Sequence, residues 1–272
     1  MIKKFFIFFM LILHIFYGWL TKIKFAQDKT KGRINYKKFM SSTIYRDIVN
    51  CYINKLEIEG TIEKTDENKV DVFISNHTSS IDFIIISYIL HKFQIRNYYC
   101  IYKKEINNIP FQADCYKDDI QIDRNWDKDK DAIIQQLDRI KSGLIVIFPE
   151  GTRFDKKKYI KSKRFCYQNK LPIFNYTLAP KAKGTHLILE NLYNKNKLGN
   201  IYDTTILFNN HIKSDLYLMK VLQKDIGNVN IKIESIKFNN DDLKYENFKE
   251  KLFRIWLKKN IYIDRKQLSL AT

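Results

Sequence analysis

Apolar and polar positions divide the chain into elements before any residue is given a role. An apolar run over 5–20, interrupted only by His14 and Gly18, stands at the amino end. It falls just short of the ~17–25 residues of a spanning helix. Beyond it, 37–53 reads as a loosely amphipathic helix, and 56–62 and 70–75 as strands parted by the polar turn 64–69. A helix over 80–93, a strand over 98–102 and a short strand over 120–122 follow. The segment 127–141 places Ile133, Ile134, Leu137 and Ile140 on one helical face. The segment 143–148 is wholly apolar, as a parallel strand covered on both faces requires. Strands are predicted at 204–208 and 229–238, and a tail helix carries Phe248, Leu252 and Trp256 at i, i+4 and i+8. Strands alternating with helices predict an α/β fold, a largely parallel mixed sheet flanked by helices, with an N-terminal membrane-anchoring helix ahead of it. Residues 1–40 read as anchor and basic flank, and 41–272 as the α/β domain.

Composition narrows the partners. Lys and Arg outnumber Asp and Glu by 48 to 30, a formal charge of +18, which favours anionic partners such as headgroups, phosphorylated small molecules or nucleic acid. The chain is also rich in Lys, Ile and Asn throughout, so part of that charge reflects general composition. Cys51, Cys100, Cys115 and Cys166 show no C-x-x-C spacing, which excludes a disulfide framework or zinc finger and suits a reduced, cytosol-facing protein. Lys3 and Lys4 precede the apolar run. Lys22, Lys24, Lys29, Lys31, Arg33, Lys37 and Lys38 follow it. Lysines where small residues should precede a cleavage point argue against a signal peptide. An uncleaved anchor, spanning or interfacial, fits better, and if it spans, the positive flank holds the remainder on the cytoplasmic side.

Two elements could carry chemistry. The strand 70–75 ends in Asn76-His77-Thr-Ser-Ser-Ile-Asp82. In a regular helix, positions five apart diverge by about 140°, so His77 and Asp82 meet only if His77 lies on the entry turn and Asp82 hangs from the first helical turn. Thr78, Ser79 and Ser80 are suitable caps for that turn, and the macrodipole favours a carboxylate there. Asp82 could then hold one ring nitrogen and leave the other as a base. The same spacing also fits a core histidine beside a helix cap. The second element, Phe148-Pro-Glu-Gly-Thr-Arg153, leaves the buried strand at its carboxyl end, where open α/β sheets place ligands. Gly151 permits close backbone approach, Glu150 can accept hydrogen bonds from hydroxyls, and Arg153 can grip a phosphate in bidentate fashion. Alone, this element also fits an ordinary solvated turn.

Together the two elements resemble the motifs of the glycerolipid acyltransferases, in particular the 1-acylglycerol-3-phosphate acyltransferases. Further stretches add to the likeness: Ile120-Gln-Ile-Asp-Arg124, the following Asn125-Trp126-Asp127-Lys128-Asp129, the stretch 103–110, and Leu178-Ala-Pro-Lys-Ala-Lys-Gly184, which is similar to the form in lysophosphatidate and lysocardiolipin enzymes. The likeness covers 56–184. One departure is the pair Asp118-Asp119, where the family usually has a glycine. The resemblance implies acyl transfer from acyl-coenzyme A, a co-substrate, to a glycerol hydroxyl, with no cofactor, metal or covalent acyl-enzyme. It implies His77 as general base and Asp82 as its orienting carboxylate. Lys104, Arg124 and Arg153 would hold the acceptor phosphate, and Glu150, Gly151 and Thr152 would line its pocket. The implied partners are a lysophospholipid and membrane lipids, with no nucleic acid, at the endoplasmic reticulum in a eukaryotic cell. The acceptor could instead be another lysophospholipid, such as lysocardiolipin, or glycerol 3-phosphate.

The basic run 156–164 reads as a solvated loop, a contact for anionic lipid, or a contact for coenzyme A phosphates. A different class of reading, a basic protein that binds a membrane surface or nucleic acid without catalysis, predicts binding that collapses with salt and ignores His77. It leaves the paired motifs unexplained, and no helix-turn-helix or RNA-binding signature is present.

Overall fold

The computed structural model describes residues 28–63, 66–105, 119–209 and 226–271, with scattered positions between 9 and 24. A seven-stranded sheet forms the centre. Its strands are β1 (Ile53–Glu59), β2 (Val70–Ser75), β3 (Tyr98–Lys103), β4 (Ile120–Ile122), β5 (Gly143–Ile147), β6 (Leu198–Phe208) and β7 (Gly227–Ile236). They lie in the order β1-β7-β6-β2-β5-β3-β4, and every neighbouring pair is parallel except β6 with β7. The sheet is therefore mixed and largely parallel, as the pattern predicted.

Helices cover both faces. On one side lie α1 (Lys29–Ser42), α2 (Ile44–Tyr52) and α3 (Asp82–Lys92), packed on Phe73, Leu144 and Val146. On the other lie α4 (Trp126–Asp138), α5 (Lys156–Gln168), α6 (Ala182–Asn194) and α7 (Tyr245–Ala271), packed on Val72, Ile74, Ile145 and Ile147. Successive side chains of β2 and β5 thus enter opposite cores, which is why both strands read as unbroken apolar runs.

Several expectations need correcting. The single helix read over 37–53 is two, broken at Thr43. There Ser42 Oγ and Thr43 Oγ1 both donate to the Phe39 carbonyl, at 3.3 and 2.5 Å, and the hydroxyls compete with helical backbone bonding. Strand β1 begins at Ile53 rather than 56, and β6 begins at Leu198 rather than 204. The basic run is no loop: it forms α5, capped by the Asp155 carboxylate, which accepts from Lys158 N at 2.8 Å. The pattern could not show it, because Cys166 is the one buried residue of that helix. Helix α6 was unread because Gly184 and Thr185 weaken its first turns. The expected anchor over 5–20 falls mostly outside the described residues, and among the described residues no helix is long and apolar enough to cross a membrane.

Lys37, read in sequence as basic flank, is instead interior. Its Nζ lies 2.7 and 2.8 Å from the two oxygens of Asp119 and donates to the Tyr98 carbonyl at 2.8 Å, with side-chain exposures of 2% and 0% for the pair. This pair ties α1 to β3 and β4, and gives Asp119 a structural task where the related pattern has glycine. Lys37→Met or Asp119→Asn alone should lower the unfolding free energy by roughly 3–5 kcal/mol, because one charge stays buried without its partner. Urea unfolding with an unchanged slope would read this, and a Lys37→Met/Asp119→Leu double variant should recover most of the loss.

Candidate active site

Because β2, β3, β4 and β5 run parallel, the segments that follow them leave the sheet at one edge. His77 and Asp82 follow β2, Lys104 follows β3, Arg124 follows β4, and Glu150 to Arg153 follow β5. All eight sequence-predicted residues therefore stand at the carboxyl edge, the usual ligand side of an open parallel sheet.

The exit from β2 is held by Asn76. Its side chain accepts from Ile206 N at 2.8 Å and donates to Ile206 O at 2.9 Å, mimicking a strand pairing with β6. His77 then lies on an extended turn and Asp82 opens α3. His77 Nδ1 is 2.9 Å from Asp82 Oδ2, and the same oxygen accepts the backbone N–H of Thr78 at 2.6 Å and of Ser79 at 2.8 Å. At the entry to α3, Ser79 Oγ accepts from Ile81 N at 3.3 Å, and the Asp82 carboxylate gathers two more amides of the same turn. A carboxylate only accepts, so Nδ1 carries the hydrogen and the neutral ring keeps its lone pair at Nε2. The Asp82 side chain is fully buried while the His77 side chain is 20% exposed. The imidazole stacks on Phe148, centroids 4.2 Å apart and planes 24° from parallel.

The exit from β5 is a tight turn. Gly151 N–H donates to Phe148 O at 2.9 Å, with Pro149 at the second position and glycine at the fourth, the sequence such turns favour. Gly151 has φ +66°, a backbone conformation that favours glycine, and the Lys181 ammonium lies in ordinary contact, 3.4 Å from where a Cβ would stand. Glu150 points inward and is 1% exposed. Its oxygens accept from His77 N and Leu178 N, each at 3.2 Å, so the carboxyl joins three loops rather than facing open solvent. Two further backbone bonds close the assembly: Phe154 N to His77 O at 2.8 Å, and Lys181 N to Pro149 O at 2.8 Å. Burial pushes the Glu150 carboxyl up to about 8, outweighing the two amide bonds, and the Asp82 charge adds to the rise.

Cations gather around the turn. Arg124, in the left-handed region at φ 63°, donates from Nη2 to Gly151 O at 2.9 Å. Partial burial pushes its guanidinium down, Glu105 pulls it up and Arg153 pushes it down again, so the two guanidinium groups feel one another. Lys104 pairs with Asp123 at 2.6 Å on the rim, which raises its ammonium above the ordinary value. Thr152 is half-buried within the turn. Sequence reasoning missed Lys181 as a neighbour of Gly151. It stands in the noticed stretch Leu178–Gly184, but nothing in its spacing shows that it folds back on Pro149. Among the described residues, no cluster of three or more His, Cys, Asp or Glu could hold a metal ion.

Comparison with known proteins agrees with this arrangement. The family described as Acyltransferase matches residues 56–183, which contain every residue just placed except Ile206 of β6. Residues 56–183, just under half of the chain, thus form an acyltransferase-family segment. A probable 1-acyl-sn-glycerol-3-phosphate acyltransferase 5 of Arabidopsis thaliana is 29% identical over 161 residues, 57% of this chain and 42% of that protein. The epsilon 1-acyl-sn-glycerol-3-phosphate acyltransferase of Mus musculus is 25% identical over 57% of this chain and 44% of its own length. The matches thus span less than half of these relatives. The crystal structure of the 1-acyl-sn-glycerophosphate acyltransferase of Thermotoga maritima shares the fold, with TM-score 0.61, 15% identity, and coverage of 96% of this chain and 94% of that one.

The buried carboxyl makes the stability of this chain depend on pH. Glu150 has an ordinary value of 4.5 when unfolded and about 8 when folded, so the folded state binds the extra proton between them. Its contribution is full below pH 4.5 and is lost as pH rises through about 8. Unfolding free energies of wild type and Glu150→Gln, measured from pH 5 to 9, should show a wild-type advantage that shrinks with rising pH. A constant difference would contradict the raised value.

Proposed function

We propose that this chain moves a fatty acyl group from acyl-coenzyme A to the free hydroxyl of 1-acylglycerol 3-phosphate, giving phosphatidic acid. The observation that carries the reading is His77, held at Nδ1 by Asp82 and open at Nε2, standing beside the cation-ringed Gly151 turn. Nε2 takes the hydroxyl proton as that oxygen attacks the thioester carbonyl carbon. The Asp82 carboxylate stabilises the imidazolium that forms. The carbon–sulfur bond then breaks and the proton passes to the departing thiolate. Arg124, Arg153 and Lys181 hold the phosphate, Lys104 closes the rim, and Gly151 and Thr152 let the acceptor lie against backbone. Glu150 acts by positioning, since its carboxyl holds the His77 backbone. Fixing both partners in this way can be worth ~7–11 kcal/mol of the barrier.

Membrane attachment through the amino-terminal run belongs to the same reading, with the catalytic domain on the cytoplasmic face, at the endoplasmic reticulum in a eukaryotic cell. In support, Phe9, Ile12, Phe16 and Trp19 expose 50, 47, 54 and 51% of their surface, more apolar area than a water-facing segment ordinarily leaves in one place. A lysocardiolipin-type acceptor offers the same phosphate and hydroxyl, and one relative is the lysocardiolipin acyltransferase 1 of Danio rerio, 24% identical over 151 residues.

Labelled acyl-coenzyme A offered with lysophosphatidic acid, lysocardiolipin and glycerol 3-phosphate decides among these. Turnover should favour lysophosphatidic acid, and His77→Ala should lower it by about 10²–10⁴. Equal rates in wild type and variant would remove His77 from the chemistry. Lys181→Met should raise KM for phosphate-bearing acceptors on the order of tenfold with little change in kcat, and Lys181→Arg should restore it.

A further inference from the structure

We propose that helix α5 is a docking surface for anionic phospholipid bilayers. The inference deepens the proposed function by giving the lipid acceptor a route to the site. Helix α5 carries Lys156, Lys157, Lys158, Lys161, Lys163 and Arg164, and no acidic residue occurs from 156 to 189. Among the described residues only Lys158 of these cations has an ion-pair partner, Asp155 at 2.8 Å. Lys157, Ile160, Lys161 and Arg164 recur at i, i+3, i+4 and i+7, so they share the outward face, while Cys166 faces the core. Ile160, Tyr167 and Phe165 stand out among these charges at 51, 80 and 47% exposure.

The Asp155 carboxylate caps this helix, but three lysines crowd the positive end of its dipole with no acid in the first turn, which the macrodipole opposes. An anionic surface reverses that penalty. A bilayer also suits the mixture of groups: cations reach headgroup phosphates on apolar stems, while an aliphatic and two aromatic side chains enter the boundary beneath them. Nucleic acid, or the phosphates of coenzyme A, would meet the charges but leave Ile160 without an apolar partner. The helix leaves the site directly, since Lys158 Nζ donates to Arg153 O at 3.2 Å. Docking α5 therefore sets the anion-holding turn at headgroup level.

Co-sedimentation of the full chain with phosphatidylcholine vesicles, with and without phosphatidylserine, tests this. Wild type should partition preferentially to phosphatidylserine vesicles, less so at high salt. Lys157→Gln/Lys161→Gln/Arg164→Gln should lose that preference by on the order of 100-fold, at about fivefold per cation. Ile160→Ser/Phe165→Ser/Tyr167→Ser should weaken binding at every salt concentration. Both variants change exposed side chains only, and transfer to a short-chain lysophosphatidic acid without vesicles should stay at the wild-type rate. An unchanged phosphatidylserine preference in the charge variant overturns the proposal, as does retention on RNA in place of vesicles. The vesicle comparison decides the docking surface, whereas the vesicle-free assay decides the catalytic reading.

Discussion

The parallel pairing of β2 with β5 is the constraint on which the rest depends. Its register runs from Val70 against Gly143 to Ile74 against Ile147, so the chain leaves both strands at the same height, side by side. His77 and the Phe148–Gly151 turn then lie close enough for Glu150 to accept the His77 amide, for Phe154 to donate to the His77 carbonyl, and for the imidazole to rest on Phe148. A slip of one residue would send every side chain of β2 into the wrong core. Burial on both faces holds the register: Val70, Val72, Phe73 and Ile74 are each fully enclosed.

Charge is layered across this edge. Beneath the imidazole lie carboxyls. Asp82 has one oxygen engaged by three donors and the other buried without a hydrogen-bond partner, and Glu150 is lifted by burial and by the Asp82 charge. Deeper still, Lys259 of α7 is enclosed against Asp203 of β6 and donates to Thr204 O at 2.5 Å; its ammonium is pushed down by burial and pulled back up by Asp203 and, further off, Glu150. On the outer side stand Arg124, Arg153 and Lys181 around Gly151. Carboxyls thus lie beneath the ring, and cations stand beside the turn. The proposed transfer would draw on both layers of this one sheet edge.

The site was partly legible because its first chemistry is local. His77 and Asp82 stand five positions apart, so one strand-to-helix turn suffices to join them, and the residues between them mark that turn, where the Asp82 carboxylate collects two amides and Ser79 Oγ a third. The apolar strands were legible for a similar reason, since burial on both faces leaves an unbroken run. Glu150 was legible as a motif residue, but its place was not. A carboxyl after a turn looks solvated until Leu178, 28 positions away, is known to lie over it.

Residue order alone therefore determined the alternation of strands and helices and the buried strands read over 70–75 and 143–148, and it placed an imidazole and a carboxylate where one turn could join them, because each depends on neighbours within a few positions. Only the tertiary structure decided that Lys37 belongs inside with Asp119, 82 residues on, that Lys181 returns to Gly151, and that the Leu178 amide lies over Glu150. These juxtapositions are made by strand order and helix packing, where groups far apart in sequence meet because the sheet brings their elements together, and no local spacing encodes that meeting.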